Sequence, residues 1–259
     1  MTLHVEQFGL GPDLVLLHGW GLHGGVFAAL AERLAPRYRV TLIDLPGHGR
    51  SPPLIQNFDL GTVTDAVAAA APPRAIWLGW SLGGMVATQL TLTAPARVDK
   101  LILVASSPRF VTAPDWPHAM DAAVLAGFAR ALEQDYHATL ERFLSLQVAA
   151  GTEGRETLRA LRAALLQYPP PALPALRAGL AMLRDADLRP QLSHLSRPAQ
   201  LILGGRDMLV PASVGAAMRQ HLPALRFDVL DAAGHAPFLS HPREFLATLS
   251  AFLEHPHDG

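Results

Sequence analysis

Residues 75–84 read AIWLGWSLGG. Serine and glycine are poor choices for the end of a buried strand, so the stretch needs a reason. Gly79-Trp80-Ser81-Leu82-Gly83 fits G-x-S-x-G, set between an apolar run and a helix-compatible segment, Leu82 to Thr93. In that context a sharp strand-to-helix turn exposes the serine oxygen, and only small residues fit two places to either side. The following helix points its amino terminus at the serine, where backbone N–H groups can meet an oxyanion. The plain alternative is a glycine-rich turn, because both residue types are common.

Working outward, short apolar runs recur and each ends in a turn-rich loop: from Asp13, Tyr38, Ala75, Lys100, Ala199 and Leu225. Most are nearly continuous in apolar residues, as strands covered on both faces are. Helix-compatible stretches separate the first four: Phe27 to Ala35, Leu60 to Ala70 and Leu82 to Thr93. Strand and helix in alternation predict an α/β fold, a mostly parallel sheet with helices on both faces. The opening LHVEQFG is compatible with an antiparallel edge strand.

The rhythm breaks after Ser107. Residues 108–187 carry helical patterns in place of strands: Met120 to Gln134, Tyr136 to Ala149, Glu153 to Gln167 and Leu173 to Arg184. A parallel crossover needs only a dozen or so residues, so this segment forms a layer of its own. Because the sheet resumes at Ala199, the expectation is a core of residues 1–107 and 188–259 with a helical lid, 108–187, inserted between two strands. An ordinary helical bundle domain is the other reading of its Ala- and Leu-rich content.

Composition narrows the class. The 259 residues are half hydrophobic, 17% charged, with formal net charge −1 and no cysteine. A nearly neutral chain argues against nucleic acid as a partner. Without cysteine there is no thiolate nucleophile, disulfide or cysteine metal site. The amino terminus lacks the basic and apolar regions of a signal peptide, and no apolar run is long enough to span a bilayer. A cytoplasmic monomer with no membrane association is expected.

A serine hydroxyl is a poor nucleophile without a base. Of twelve histidines, His235 lies just beyond the last apolar run, in GHAPF. His241 reads as a loop or helix-start residue, and His255 and His257 as tail. His4, His118, His137, His194 and His221 read as surface or helix positions, and His18, His23 and His48 as loop neighbours of the site. A carboxylate should orient the imidazole. Asp207, in GGRDMLVP, gives the chain order Ser81, Asp207, His235. Asp231 and Asp44 are rivals; Asp231 reads as a strand-end residue facing elsewhere, and Asp44 as a loop-organising carboxylate bonded to backbone. Two oxyanion donors are needed, and the backbone N–H groups of Leu82 and of Trp20, in HGWG, stand in the right places. Trp20 can equally be a surface aromatic beside a turn.

HGWG, GWSLG, GRD and GHAPF follow one another, each after an apolar run. This resembles the α/β-hydrolase superfamily over nearly the whole chain, and DLPGHGRS from Asp44 is similar to a usual loop of that superfamily. LLHGWGL, IWLGWSLGG, VASSP, ERFLSLQ and GHAPFLSHP resemble more narrowly the pimeloyl-[acyl-carrier protein] methyl ester esterase family of biotin synthesis. The resemblance implies Ser81 as nucleophile, His235 as base and then acid, Asp207 as orienter, and Trp20 and Leu82 as oxyanion and substrate contacts. It implies that Phe143 and Gln147, four apart and so on one helix face, meet the acyl chain. It implies no cofactor and no metal, and a substrate carried on an acidic acyl-carrier protein. Arg142, Arg155 and Arg159 match the family's carrier contacts, while Ala138 stands where the family can carry another arginine. Between Arg155 and Arg184 there are five arginines and one acid, Glu156. A solvated helix face is the ordinary reading of such a run.

Other functions share these residues. A short-chain carboxylesterase or a lactonase would use the same triad, because fold and triad do not choose the acyl group. A carbon–carbon bond hydrolase would need polar groups on the lid. A ligand-binding module would keep the fold without the chemistry.

Overall fold

The computed structural model describes residues 2–55, 58–148 and 151–254. Ala149, the expected end of one helix, and the tail histidines His255 and His257 lie outside them.

Among the described residues, seven strands form one sheet in the order β1-β3-β2-β4-β5-β6-β7. They are β1 (Val5–Phe8), β2 (Asp13–Leu17), β3 (Arg39–Ile43), β4 (Ala75–Trp80), β5 (Val98–Val104), β6 (Ala199–Gly204) and β7 (Arg226–Leu230). β1 runs antiparallel to β3, and every other pairing is parallel. The apolar runs are continuous for the reason expected: all six residues of β4 and of β6 are buried, since helices cover both faces.

The helices are α1 (Ala28–Leu34), α2 (Leu60–Ala70), α3 (Leu82–Thr93), α4 (Ala122–Gln134), α5 (Tyr136–Leu146), α6 (Thr152–Gln167), α7 (Leu173–Asp185), α8 (Ser213–His221), α9 (Pro237–Ser240) and α10 (Pro242–Leu253). Local chemistry sets several starts. Asp59 closes a capping box on α2, and Asp121 and Asp135 cap α4 and α5. α8 and α10 are additional to the helices the sequence pattern predicts. Both complete the core after β6, where the chain alternates strand and helix again.

α4 to α7 all lie between β5 and β6, and the β-type contacts in residues 108–187 are isolated bridges, Val111 with Met120 and Ala113 with Trp116. α5 is shorter than expected: it stops at Leu146, and Gln147 forms its C-cap. The inserted helices share the core's packing. Phe128, Leu140, Phe143, Leu176 and Leu180 join one buried cluster with Trp20 and Leu82. Leu144 and Leu161 join the cluster on the other side of the sheet, with Trp80 and Phe238. Among the described residues, no helix is long and apolar enough to cross a membrane.

Candidate active site

β4 and α3 meet at Ser81, whose φ of 55° and ψ of −118° fall outside the ordinary regions for an L-residue. The surroundings hold it there. Its N–H donates to Val104 O at 2.9 Å, and its carbonyl accepts from Gly84 N at 3.0 Å and Ser106 Oγ at 2.8 Å. The flanking glycines are required by close approach. A Cβ on Gly79 would collide with the Gly83 carbonyl, and a Cβ on Gly83 would collide with the Leu17 carbonyl at the end of β2. Strain of this kind is stored where the surrounding structure over-determines the backbone.

Asp207 and His235 come together from the loops after β6 and β7. His235 Nδ1 donates to Asp207 Oδ2 at 2.7 Å, and Asp207 Oδ1 accepts from the amides of Leu209 and Val210 at 2.8 and 3.0 Å. The carboxylate is therefore oriented by two backbone groups before it orients the ring. The backbone of His235 is held from two sides. Its N–H donates to Gln147 O at 2.9 Å, and its carbonyl accepts from Trp80 Nε1 at 2.7 Å. One bond thus comes from the end of α5, the other from the residue before Ser81. His235 Nε2 is buried and has no hydrogen-bond partner. It is not bonded to the Ser81 hydroxyl here; such bonds commonly tighten only once substrate is in place.

The rivals lie elsewhere. Asp44 accepts from Gly24 N at 2.7 Å and Arg50 N at 2.9 Å, as a loop-organising carboxylate does. Asp231 is exposed beyond β7. His18, His23 and His48 surround Asp44; His18 and His48 have no surface access to speak of, and burial lowers them to about 3 and about 4 respectively, so both stay neutral. His241 occupies the N-cap position of α10, with its Nδ1 2.8 Å from Ser240 Oγ and no side-chain capping bond.

Trp20 is buried, not the surface aromatic of the alternative reading. Its indole Nε1 donates to Leu176 O on α7 at 2.8 Å, and its ring meets Phe143 edge-on with centroids 4.8 Å apart. Such an aromatic pair contributes roughly 0.5–1.5 kcal/mol beyond the area it buries. Gly179 lets α7 lie against the same ring. Trp20, Leu82, Gln147 and His235 are each 1% exposed, so the site is closed over by the inserted helices. Neither the Trp20 amide nor the Leu82 amide donates to any acceptor among the described residues. Phe143 and Gln147 are both buried, but Phe143 packs against Trp20 and Phe128 while Gln147, at the C-cap of α5, has its Oε1 buried without a partner. A cleft of about 270 Å³ opens between α6 and the His235 loop, lined by Gln147, Gly154, Thr157, Arg206, Gly234 and His241; Ser81 does not line it. Ser81 and His235 lie buried beneath the helices and do not line that cleft.

The arginine run is less charged than its sequence suggests. Arg162 pairs with Glu141 at 2.7 Å, Arg177 with Glu133, and Arg184 with Asp185 at 2.6 Å. Those acids come from outside the counted stretch, two of them from neighbouring helices, so a count along the chain overstates the charge. The Arg155 guanidinium bonds to the Thr152 hydroxyl at 3.2 Å, and the Arg142 guanidinium sits 5.5 Å over the Phe128 ring. Arg142, Arg155 and Arg159 are all exposed.

Sequence reasoning missed the bonds that Trp80 and Ser106 make to the site. Their partners are 155 and 25 residues away, with no local pattern to announce them.

Comparison with known proteins bears on the fold and the family. A family model described as alpha/beta hydrolase fold matches residues 12–242. The pimeloyl-[acyl-carrier protein] methyl ester esterase of Aeromonas hydrophila is 45% identical over 254 residues, 98% of this chain and 100% of that protein. The protein of the same name from Xanthomonas campestris is 46% identical over 97% of this chain and 98% of its own. An esterase structure from Exiguobacterium antarcticum superposes with a TM-score of 0.88 at 24% identity, covering 98% of this chain and 96% of that one, a likeness of fold alone. The chain belongs to the α/β-hydrolase fold family and, within it, to the pimeloyl-[acyl-carrier protein] methyl ester esterase family.

Proposed function

We propose that this protein is a serine carboxylesterase that hydrolyses the methyl ester of pimeloyl-[acyl-carrier protein], giving the free carboxylate and methanol for biotin synthesis. The observation that carries the reading is near-full-length identity of about 45% to esterases of that name. A buried His235–Asp207 pair and a strained serine at the elbow supply the chemistry.

The mechanism is a two-step acyl transfer. His235 Nε2 takes the Ser81 proton as the serine oxygen forms a bond to the ester carbonyl carbon. The negative charge that develops on the carbonyl oxygen rests on the unpaired amides of Trp20 and Leu82. The bond to the methoxy oxygen breaks, and His235 returns its proton to the leaving methanol. A water then repeats the sequence on the acyl-enzyme. Asp207, already anchored by two amides, holds the ring in its Nδ1–H tautomer and stabilises the imidazolium.

Residues 108–187 serve as a lid whose inner face, Phe143 and Gln147, meets the acyl chain. Trp20 and Phe143 form an apolar wall suited to a methylene chain. Arg142, Arg155 and Arg159 lie on the outer face, where an acidic carrier would approach. The test is turnover of methyl pimeloyl-carrier ester against a free short ester. The carrier ester is the better substrate if the reading holds, and Ser81→Ala lowers kcat on both by about six orders of magnitude. Near-normal turnover in Ser81→Ala would end the assignment.

A further inference from the structure

α1, α9 and α10 enclose a hollow of about 210 Å³ on the surface, away from the triad. Its floor is apolar. Leu30 and Phe238 are only 6% and 4% exposed, so the floor is recessed, and Leu246 packs on the same buried cluster. Each long wall pairs an apolar side chain with a cation. Leu30 and Arg33 are three apart on α1, and Arg243 and Leu246 are three apart on α10, so each pair shares a helix face.

The two guanidinium groups have nothing to neutralise them. Arg33 and Arg243 are exposed and line the hollow. Among the described residues neither has an ion pair, a hydrogen bond from its guanidinium or a ring beneath it. No acid among the described residues lines the hollow; Glu32 and Glu244, their neighbours in the chain, do not. This contrasts with Arg162, Arg177 and Arg184 on the lid, which all hold a carboxylate. A second depression of about 280 Å³ shares Arg33 and Leu246 and continues along α10 to Tyr38 and Ser250. Its other arginine, Arg37, is already paired with Glu254. The groove therefore has free cations at one end and an extended, mainly apolar course.

We propose that this groove binds a single-chain amphipathic carboxylate, a medium-chain fatty acid in class. The head lies between Arg33 and Arg243, and the chain lies over Leu30, Phe238 and Leu246. A guanidinium presents a planar fork that matches a carboxylate. A compact inorganic anion would leave the apolar floor unused, and an uncharged chain would leave the arginines unpaired. An anionic bilayer would reach the arginines but not a recessed floor. The site is separate from the reaction centre, since Ser81, Asp207 and His235 do not line it. It adjoins the support of that centre: the Phe238 ring meets Trp80 with centroids 5.1 Å apart, and Trp80 Nε1 holds the His235 carbonyl. The inference goes beyond the esterase reading and stands without it.

Calorimetric titration of the full chain with octanoate tests the site. Saturable binding is expected with Kd on the order of 1 mM. Hexanoate binds more weakly, by about two- to fourfold for each methylene removed. The double variant Arg33→Ala, Arg243→Ala weakens octanoate binding by at least about tenfold. It keeps the parent's thermal midpoint, because both side chains are exposed and unpaired. Nuclear Overhauser contacts run from the octanoate methylenes to the Phe238 ring and the Leu246 methyls. Contacts to Trp20 and Phe143, with affinity unchanged in the double variant, would place the chain beneath the lid and overturn the inference. So would capture of the protein by anionic vesicles without octanoate binding, or no saturation by about 20 mM octanoate. If the double variant does not fold, the parent alone decides. Octyltrimethylammonium, the same chain on a cationic head, binds at least about tenfold more weakly than octanoate; equal affinity would overturn the inference.

Discussion

The loops at the sheet edge and the outer face of the lid use polar groups in opposite ways. At the sheet edge the polar groups are buried and tied to backbone. Asp207 takes two amides, His235 is held through both its N–H and its carbonyl, and His18 bridges two loops. On the lid the polar groups are exposed arginines, and two of them, Arg162 and Arg177, pair with acids from adjacent helices. Buried bonds to backbone hold position, because breaking one strands a group away from water. Exposed ion pairs set little and are screened by salt. The difference fits the proposed function, which puts the chemistry in the first region and the approach of a carrier at the second.

Asp207→Asn tests the sheet edge hardest. The substitution keeps the shape of the side chain but favours the wrong imidazole tautomer, so kcat falls about 10⁴-fold. The loss is equal on carrier-bound and free short esters, because both depend on the same ring. A loss confined to one substrate would break the division between the regions.

Acid provides the next test. Folded, His18 and His48 stay neutral down to about 3 and about 4, chiefly because burial opposes their charge. Unfolded, each takes a proton below its ordinary 6.5. Unfolding therefore consumes protons, and stability falls as pH drops from 6.5 toward 4, by up to about 1.4 kcal/mol per pH unit for each ring. Asp44, His23 and Arg50 surround the pair and add their own terms. Urea unfolding across this range, in the parent and in His48→Gln, isolates one ring: the slope becomes shallower in the variant. An unchanged slope would place the acid sensitivity elsewhere.

The smallest effect belongs to the lid. Changing Arg155 and Arg159 to Glu raises KM for the carrier-bound ester by about tenfold, and added salt shrinks the difference. Free short esters are hydrolysed at parent rates. Equal changes on both substrates would mean that these arginines serve the lid's own packing and not a carrier.

Legibility followed the same division. Ser81, Asp207 and His235 each stand at a strand end where a turn motif marks them, and their chain order narrows the choice. The sequence offers Trp20 as a candidate backbone donor, but its burial under α7 has no local mark. The partners of the arginine run were not legible, since Glu141 and Glu133 belong to other helices. Trp80 occupies a position that the G-x-S-x-G pattern leaves free, so its bond to the His235 carbonyl had no local mark.

The sequence by itself determined the alternation of strand and helix, the inserted helical segment, the elbow at Ser81 and the order of the candidate triad. These depend on short-range rules: apolar periodicity, small residues at a tight turn, and side-chain caps. Only the tertiary structure decided which histidine meets which carboxylate and which arginines remain unpaired. Those outcomes depend on contacts between residues far apart in the chain, and such contacts exist only once the sheet has brought its loops to one edge.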